Sequence, residues 1–408
     1  MPLFLQLAMA LAILITAAKL GGYLSLRLGQ PAVLGALLAG LILGPLLLDF
    51  LHWGPFTSLH LGETIRCLAE LGVLLLMFIA GLDLHLSDLA KSGKAAVLVG
   101  TMGVLLPVVM GYGLGRALSM AVVPAIFIGL ILAATSVSIS AQTLMELKIL
   151  RSRVGVTLLG AAVFDDILVV LGLSILVALT DSVTGGLAGV GLIILRMWSY
   201  LIVASVFGLW LLPKMSQRVD RLPISQGLVA FSLVTILLYA WAAEVWGNMA
   251  AITGAFLAGV LLARSPLRGR IQSGISTLAY SIFVPIFFTN IGLSANAGEL
   301  TVASIGLVLA MIGVAILSKV LGAAIGARLG GFSNRAAIQL GVGMMSRGEV
   351  GLIVASFGIA KGIISAQLFS AMVGVVIATT LLTPPVLRTL FARDGVPASQ
   401  ITLSESQE

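Results

Sequence analysis

The sequence predicts an all-α integral membrane protein of about thirteen transmembrane helices, built from inverted repeats and containing two broken helices. Three observations carry that expectation. The chain of 408 residues is 59% hydrophobic and only 10% charged, where soluble domains carry roughly 25%, so lipid solvates most of its side chains. Its apolar residues fall into stretches of the ~20 residues needed to cross a bilayer. Two sequence echoes then recur seven stretches apart.

The first stretch, 3–27, is too long for the core of a signal peptide, and the following SLRLGQPAV has no small-residue cleavage site, so a retained span is expected. Next come 31–48, with GALLAGLILG at 35–44, and 66–84, which runs into FIAGLDLHLSDL. Stretches 94–116 and 122–147 follow, the latter with AATSVSISAQ at its middle. The sixth, 154–180, contains the adjacent acids Asp165 and Asp166. After 187–212 and 223–243 comes 247–263, with GAFLAGVLLA, and then 274–295, running into FTNIGLSANAGEL. The last three are 301–327 with Lys319, 335–360 with GVGMMSRGEVG, and 365–391. Residues 393–408 are expected to form a short cytoplasmic tail with no appended domain.

A net charge of +7 points to nucleic acid in a soluble protein, but here a membrane cause fits. With the N-terminus outside, the odd-numbered loops and the C-terminus are cytoplasmic and hold sixteen Lys and Arg, against Arg66, Arg116 and Lys361 in the even-numbered loops. That is the positive-inside bias, and no nucleic-acid partner is expected. The single cysteine, Cys67, rules out an internal disulfide.

GALLAGLILG and GAFLAGVLLA lie seven spans apart, as do FIAGL and TNIGL. Seven is odd, so the copies enter the membrane from opposite sides, the inverted architecture common in secondary transporters. Such repeats often carry a helix broken at the midplane. The fifth span has Thr135, Ser136, Ser138 and Ser140 within six residues, and the twelfth has four glycines and two charges in GVGMMSRGEVG. Hydroxyl side chains favour local backbone bonds over helix, and glycine costs about 1 kcal/mol against alanine. The symmetric placement marks both as breaks.

Intramembrane charges each cost at least about 2.5–3.5 kcal/mol at the bilayer centre. Lys19, Glu70 and Arg196 lie where they can snorkel or pair locally. Asp165 and Asp166 lie twelve or more residues from either end of their span. Neighbours on a helix point about 100° apart, so the two acids face different partners. A carboxylate so placed can exchange a proton for a cation, which makes the chain a proton-coupled secondary transporter of small cations. Lys319 is the counter-charge for one of the two acids, with Gly322 and Gly326 allowing close helix approach. Arg347 and Glu349, at the second break, are expected to offset half-helix dipoles and each other. Thr135 and Ser136, with carbonyls freed by the first break, offer oxygen ligands for a hard cation. His52, His60 and His85 lie in loops or at span ends and leave proton carriage to the carboxylates and Lys319.

At these residues the chain resembles the monovalent cation:proton antiporter-2 family of sodium/proton exchangers. The matching strings are PAVLGALLAGLILGP, ATSVSIS, FDD, PIFFTNIGL, SKVLGA and RGEVGLI, in that order, along nearly the whole chain. The resemblance implies the sodium/proton antiporter fold, with thirteen helices, two crossed broken helices and an elevator-like alternating-access motion. It implies a homodimer, with translocation helices at about 66–180 and 274–391 and scaffold helices at about 1–48 and 187–263. It implies that Asp166 binds cation or proton, with Thr135 beside it as a sodium ligand, and that Asp165 pairs with Lys319. Thr135 and Ser136 become the crossover of the first broken helix, Arg347 and Glu349 the equivalent region of the second, and Asn290 a cavity-lining candidate. An Asp-Asp pair with a lysine resembles the electrogenic branch, which exchanges two protons per sodium.

Sodium or lithium/proton antiport is therefore the leading expectation, in a prokaryotic inner membrane, with membrane lipid, small cations and protons as partners. No cofactor is expected beyond the transported Na+ or Li+ and H+. Potassium/proton antiport keeps the same acids and is the alternative. A cation channel needs a continuous pore and usually a gating domain or subunit ring, and no nucleophile or phosphate loop suggests an enzyme.

Overall fold

The computed structural model of the chain describes residues 2–45, 47–56, 60–83, 86–180, 186–293, 305–348, 350, 351, 354, 355, 358 and 362–392. Among them every regular element is helical. Two long helices frame the first echo, with α1 at Leu3–Arg27 followed by a short α2 at Ala32–Leu43, then α3 at Leu61–Asp83 and α4 at Leu86–Ala117. The fifth span is split into α5 (Val122–Ala133) and α6 (Val137–Glu146), and α7 (Arg153–Thr180) carries the paired acids. The second half begins after α8 (Gly186–Trp210) and the surface helix α9 (Leu212–Asp220). It contains α10 (Gly227–Val245), α11 (Ala251–Leu262) and α12 (Arg268–Leu278), which passes through a π-helical segment at Ala279–Phe283 into α13 (Val284–Leu293). Next come α14 (Ile305–Leu329), α15 (Asn334–Gly343) and α16 (Ala366–Ala392).

Ten helical stretches among the described residues are long and apolar enough to cross a membrane, and the expected spans fall on them or on shorter pieces. α2 and α11 are each only 12 residues long, about 18 Å at 1.5 Å per residue. The apolar stretches 31–48 and 247–263 read longer because hydropathy does not register where a helix stops. Pro31 opens α2 and Gly44, in an extended conformation, ends it. α11 is packed inside the protein along almost its whole length, while α2 buries one face and leaves Leu38 and Ile42 exposed.

The two short helices occupy equivalent places in the two halves. A Cβ on Gly35 would fall 2.0 Å from the Gly21 carbonyl of α1, and one on Gly254 would fall 2.2 Å from the Tyr239 carbonyl of α10. At the other end of the same motif, Gly40 meets the Thr289 carbonyl of α13 and Gly259 the Phe78 carbonyl of α3, each 2.2 Å from the added Cβ. Real Cβ atoms do not approach so closely, so only glycine permits these four helix contacts. The same motif thus packs on the preceding span and on the opposite repeat's third span in both halves, which is the inverted repeat expressed as packing.

The helices sort into two bundles. α1, α2, α3, α10, α11 and α13 pack on one another, while α4, α5, α6, α7, α14, α15 and α16 form the second group. In that second bundle, Gly322 and Gly326 let α14 lie against the Met102 and Leu98 carbonyls of α4. α8 touches both α7 and α11 and so joins the groups. α3 and α13 fall within the expected translocation ranges 66–180 and 274–391, yet they pack on the α2 and α11 side. Large apolar side chains such as Trp198, Trp210 and Trp241 remain more than 60% exposed, as a lipid solvent requires.

Candidate ion-exchange site

Helix α5 ends at Ala133, and the chain runs extended through Ala134 (ψ 137°) to Ser136 (ψ 103°) before α6 begins. The twelfth span is interrupted in the same way. α15 ends at Gly343, residues 345–348 have no regular structure, and helical residues reappear at 350, 351, 354, 355 and 358. The two interruptions touch. Ser136 N–H donates to the Ser346 carbonyl at 2.9 Å, and Ser346 Oγ donates to the Ser136 carbonyl at 2.6 Å. Ser140 Oγ donates to the Gly343 carbonyl, adding a third tie. A Cβ on Gly348 would come within 2.5 Å of Ser136 Oγ, so glycine is needed for the crossing itself.

Breaking a helix leaves carbonyls without intrahelical partners, and the end of a half-helix carries partial negative charge. Each interruption answers this with a fully buried cation. Lys319, on α14, donates from Nζ to the Ala133 carbonyl at the end of α5, at 2.6 Å. Arg347 donates from Nη1 to the Met344 and Met345 carbonyls just past α15, at 3.3 and 2.8 Å, and from Nη2 to the Ala315 carbonyl of α14 at 2.9 Å. The Arg347 backbone is held from α16, whose Thr379 hydroxyl accepts its N–H at 3.2 Å while Thr380 Oγ1 donates to its carbonyl at 2.6 Å.

Asp165 completes the first of these clusters. Lys319 Nζ lies 2.8 Å from Asp165 Oδ1 and 3.0 Å from Oδ2, and Thr135 Oγ1 donates to Oδ2. The three ammonium protons therefore have two carboxylate oxygens and one carbonyl to serve. Asp165 is wholly buried, whereas Asp166 retains 7% exposure, consistent with two faces of one helix turned in different directions. Ser136 is also wholly buried, and its hydroxyl has no partner among the described residues.

The structure thus gathers Asp165, Lys319, Thr135, Ser136 and Arg347 around one crossing, with Asp166 beside Asp165 on α7. Asn290 is carried by α13, which packs with the other bundle. Glu349 lies outside the described residues. Ser346, Thr379 and Thr380 were not singled out from sequence. A signal for the first existed, because Gly81 and Gly292 of the second echo are 211 positions apart and so are Thr135 and Ser346. The two threonines sit on the span seven after the one that carries Asp165 and Asp166, and nothing in ATTLLT distinguishes a backbone-holding hydroxyl from a packing one.

Chemically, the crossing offers a carboxylate, hydroxyls and peptide carbonyls. These are hard oxygen donors suited to a hard cation, next to a lysine and an acid able to hold protons.

Comparison with known proteins agrees with this chemistry. The transmembrane sodium/hydrogen exchanger family matches residues 12–393. Over 383 residues, covering 93% of this chain and 95% of its relative, the sequence is 37% identical to the Na(+)/H(+)-K(+) antiporter GerN of Bacillus cereus. It is 36% identical to a Na(+)/H(+) antiporter of Enterococcus hirae, over 93% of this chain and 96% of that one. The fold is similar to that of the sodium proton antiporter MjNhaP1 from Methanocaldococcus jannaschii, with a TM-score of 0.65, 18% identity, and 98% and 99% of the two chains covered.

Proposed function

The chain belongs to the sodium/hydrogen exchanger family, and from that premise we propose that this cation/proton antiporter exchanges sodium or lithium for protons, with Asp166 as the exchange site. The observation that carries the proposal is the division of labour on α7. Asp165 is held by Lys319 at 2.8 Å and by Thr135, while its neighbour Asp166 keeps the small exposure that an ion needs to arrive. Competition for one carboxylate obliges coupling. A cation displaces the proton on Asp166, and a proton displaces the cation, without any other contact having to distinguish the two ions. Thr135 and the carbonyls at the end of α5 supply further oxygens for the bound sodium.

The exchange is electrogenic on this reading. Cation binding beside Asp165 competes with Lys319 for its carboxylate, the ion pair opens, and the freed ammonium releases a second proton, giving two protons per sodium. The second bundle, which carries the whole crossing, moves against the first in an elevator motion. The first bundle supplies the dimer contact with a second copy. The bias of basic residues supports a cytoplasmic C-terminus and an external N-terminus, in a prokaryotic inner membrane.

Potassium is the second reading, supported by the similarity to the Na(+)/H(+)-K(+) antiporter of Bacillus cereus. Proteoliposomes with a preset pH gradient separate the cases: sodium or lithium, but not potassium, is expected to collapse the gradient, and faster when a membrane potential is imposed. If none of the three cations dissipates it, the exchanger reading fails. If the rate ignores the potential, the two-proton stoichiometry fails alone.

A further inference from the structure

Helix α2 borrows the closure of its N-terminus from the other bundle. Pro31 precedes α2 and offers no side-chain cap, and the first turn contains no acid. By contrast, α15 is capped within its own sequence, where the Ser333 hydroxyl accepts the Ala336 N–H. Two first-turn donors of α2 are met by Glu146, at the last position of α6. Its Oε2 accepts the Ala32 N–H at 2.6 Å and its Oε1 the Val33 N–H at 3.2 Å, across 114 and 113 residues of sequence. The carboxylate is positioned from behind by Gln142, whose Nε2 donates to Glu146 Oε1 at 2.9 Å, and Gln142 Oε1 in turn accepts the Tyr280 hydroxyl at 3.2 Å. Tyr280 lies in the π-helical segment of the first bundle, so the network begins and ends on that bundle and passes through the second.

A second carboxylate makes a parallel link at the ends of the same odd-numbered loops. Asp83, which ends α3 in the first bundle, accepts Arg151 Nη2 of the α6–α7 loop at 2.9 Å and Gln272 Nε2 of α12 at 3.0 Å, with Arg268 at 3.6 Å. Both links cross between the bundles, and both lie at the end carrying the basic loops.

We propose that Glu146 is a gating residue, a latch that ties the translocating bundle to the N-terminus of α2 at the cytoplasmic end and is released each time that bundle moves, with Asp83 as its auxiliary. The inference rests on the moving-bundle reading given above. The chemistry suits a reversible tie. A carboxylate on a helix N-terminus is favourable both as a hydrogen-bond acceptor and against the helix dipole. Water from the cytoplasm can replace it at the first turn of α2 when the bundles part. A buried bolt, such as the Lys319–Asp165 pair, has no such substitute.

The test uses the full chain in proteoliposomes, with Cys67→Ser removing the native thiol. Met145 and Tyr280 face each other across the same junction, with Sδ and OH 4.0 Å apart, and Met145→Cys with Tyr280→Cys gives a pair that a short bifunctional thiosulfonate can join. Cross-linking is expected to cut sodium/proton exchange at least about tenfold, and reductant to restore it to its level before cross-linking. In a second arm, adding Glu146→Ala is expected to slow cross-linking of the pair, by up to the five- to thirtyfold fall in closed-to-open ratio that losing a capping interaction of about 1–2 kcal/mol gives. Full exchange by a completely cross-linked protein would overturn the proposal, and so would an unchanged cross-linking rate in the Glu146→Ala chain. The parent chain, measured in the same vesicles, keeps the two claims apart: if it does not exchange, the antiport reading fails, whatever the latch does.

Discussion

Removing the charge of Lys319 while keeping its length, as in Lys319→Met, tests how the buried ion pair is held. In the native protein the ammonium serves Asp165 Oδ1 at 2.8 Å, Asp165 Oδ2 at 3.0 Å and the Ala133 carbonyl at 2.6 Å, with both side chains wholly buried. The substitution leaves Asp165 with the Thr135 hydroxyl but no balancing charge, and a buried charge stripped of its partner costs about 3–5 kcal/mol. Asp165→Asn likewise removes the balancing charge and leaves the ammonium only neutral acceptors, the Ala133 carbonyl and the amide oxygen of the new side chain. Replacing both members together removes both charges, and such swaps of a buried pair are often near neutral. The double variant is therefore expected to be more stable than either single one, and the two single losses are expected to exceed the double loss by at least about 3 kcal/mol. Chemical unfolding in mixed micelles, measured on all four chains, gives that number. If the two single losses add in the double variant to within about 0.5 kcal/mol, the pair contributes nothing as a pair, and the account of Lys319 is wrong.

Asp166→Asn is expected to abolish exchange while leaving unfolding stability within about 1 kcal/mol, and to remove the stabilisation that sodium gives the native chain, which at ten times the dissociation constant is about 1.4 kcal/mol; full exchange in this variant sinks the site assignment. Arg347→Met is expected to strand the carbonyls of Met344, Met345 and Ala315 at about 1–3 kcal/mol for each group left unpaired, so folded yield in detergent falls, with Arg347→Lys recovering part of it; undiminished yield in both contradicts the capping role. Gly40→Ala and Gly259→Ala each push a methyl to 2.2 Å from a carbonyl and are expected to cost about 1–3 kcal/mol apiece, and equal losses from repeat-related positions would be visible in the same unfolding assay.

The places where sequence was enough share one physical feature: the information was local. A run of apolar residues marks a span, and AATSVSISAQ or GVGMMSRGEVG marks a break, because those residues weaken helix where they stand. The failures are all relational. α3 and α13 are apolar nearly all round their buried lengths, so nothing in their periodicity says which bundle they join; the close approach of Gly40 to Thr289 and of Gly259 to Phe78 decides it. Glu146 drew no attention because it ends a span, where acids are cheap, and its partners lie 113 and 114 residues away. From the residues alone Lys319 had two candidate acids to pair with, and the resemblance chose Asp165. In the structure the Lys319 ammonium donates to Asp165 and to the Ala133 carbonyl at the end of α5.

On the proposed reading, the arrangement also accounts for a fixed ratio of protons to cations. Among the described residues the fully or nearly buried charged side chains are Asp165, Asp166, Lys319 and Arg347, two acids and two bases, which balance when all are ionised. Arg347 is committed to three carbonyls that exist only because two helices are interrupted or adjacent there, so its charge is permanent and structural. The remaining three form the working set. On the proposed reading the four charges balance once Asp166 has given up its own proton, so a sodium ion bound there adds a positive charge to a neutral interior, where uncompensated charge is expensive. The least costly relief available is loss of a proton from Lys319, whose ammonium competes with the cation for carboxylate oxygens. On this argument Lys319→Gln converts the transporter to one that exchanges a single proton per cation, because the lysine proton is no longer there to leave. Exchange that persists in Lys319→Gln but no longer responds to an imposed membrane potential is the expected result; a voltage response equal to that of the native chain would mean the second proton comes from another group.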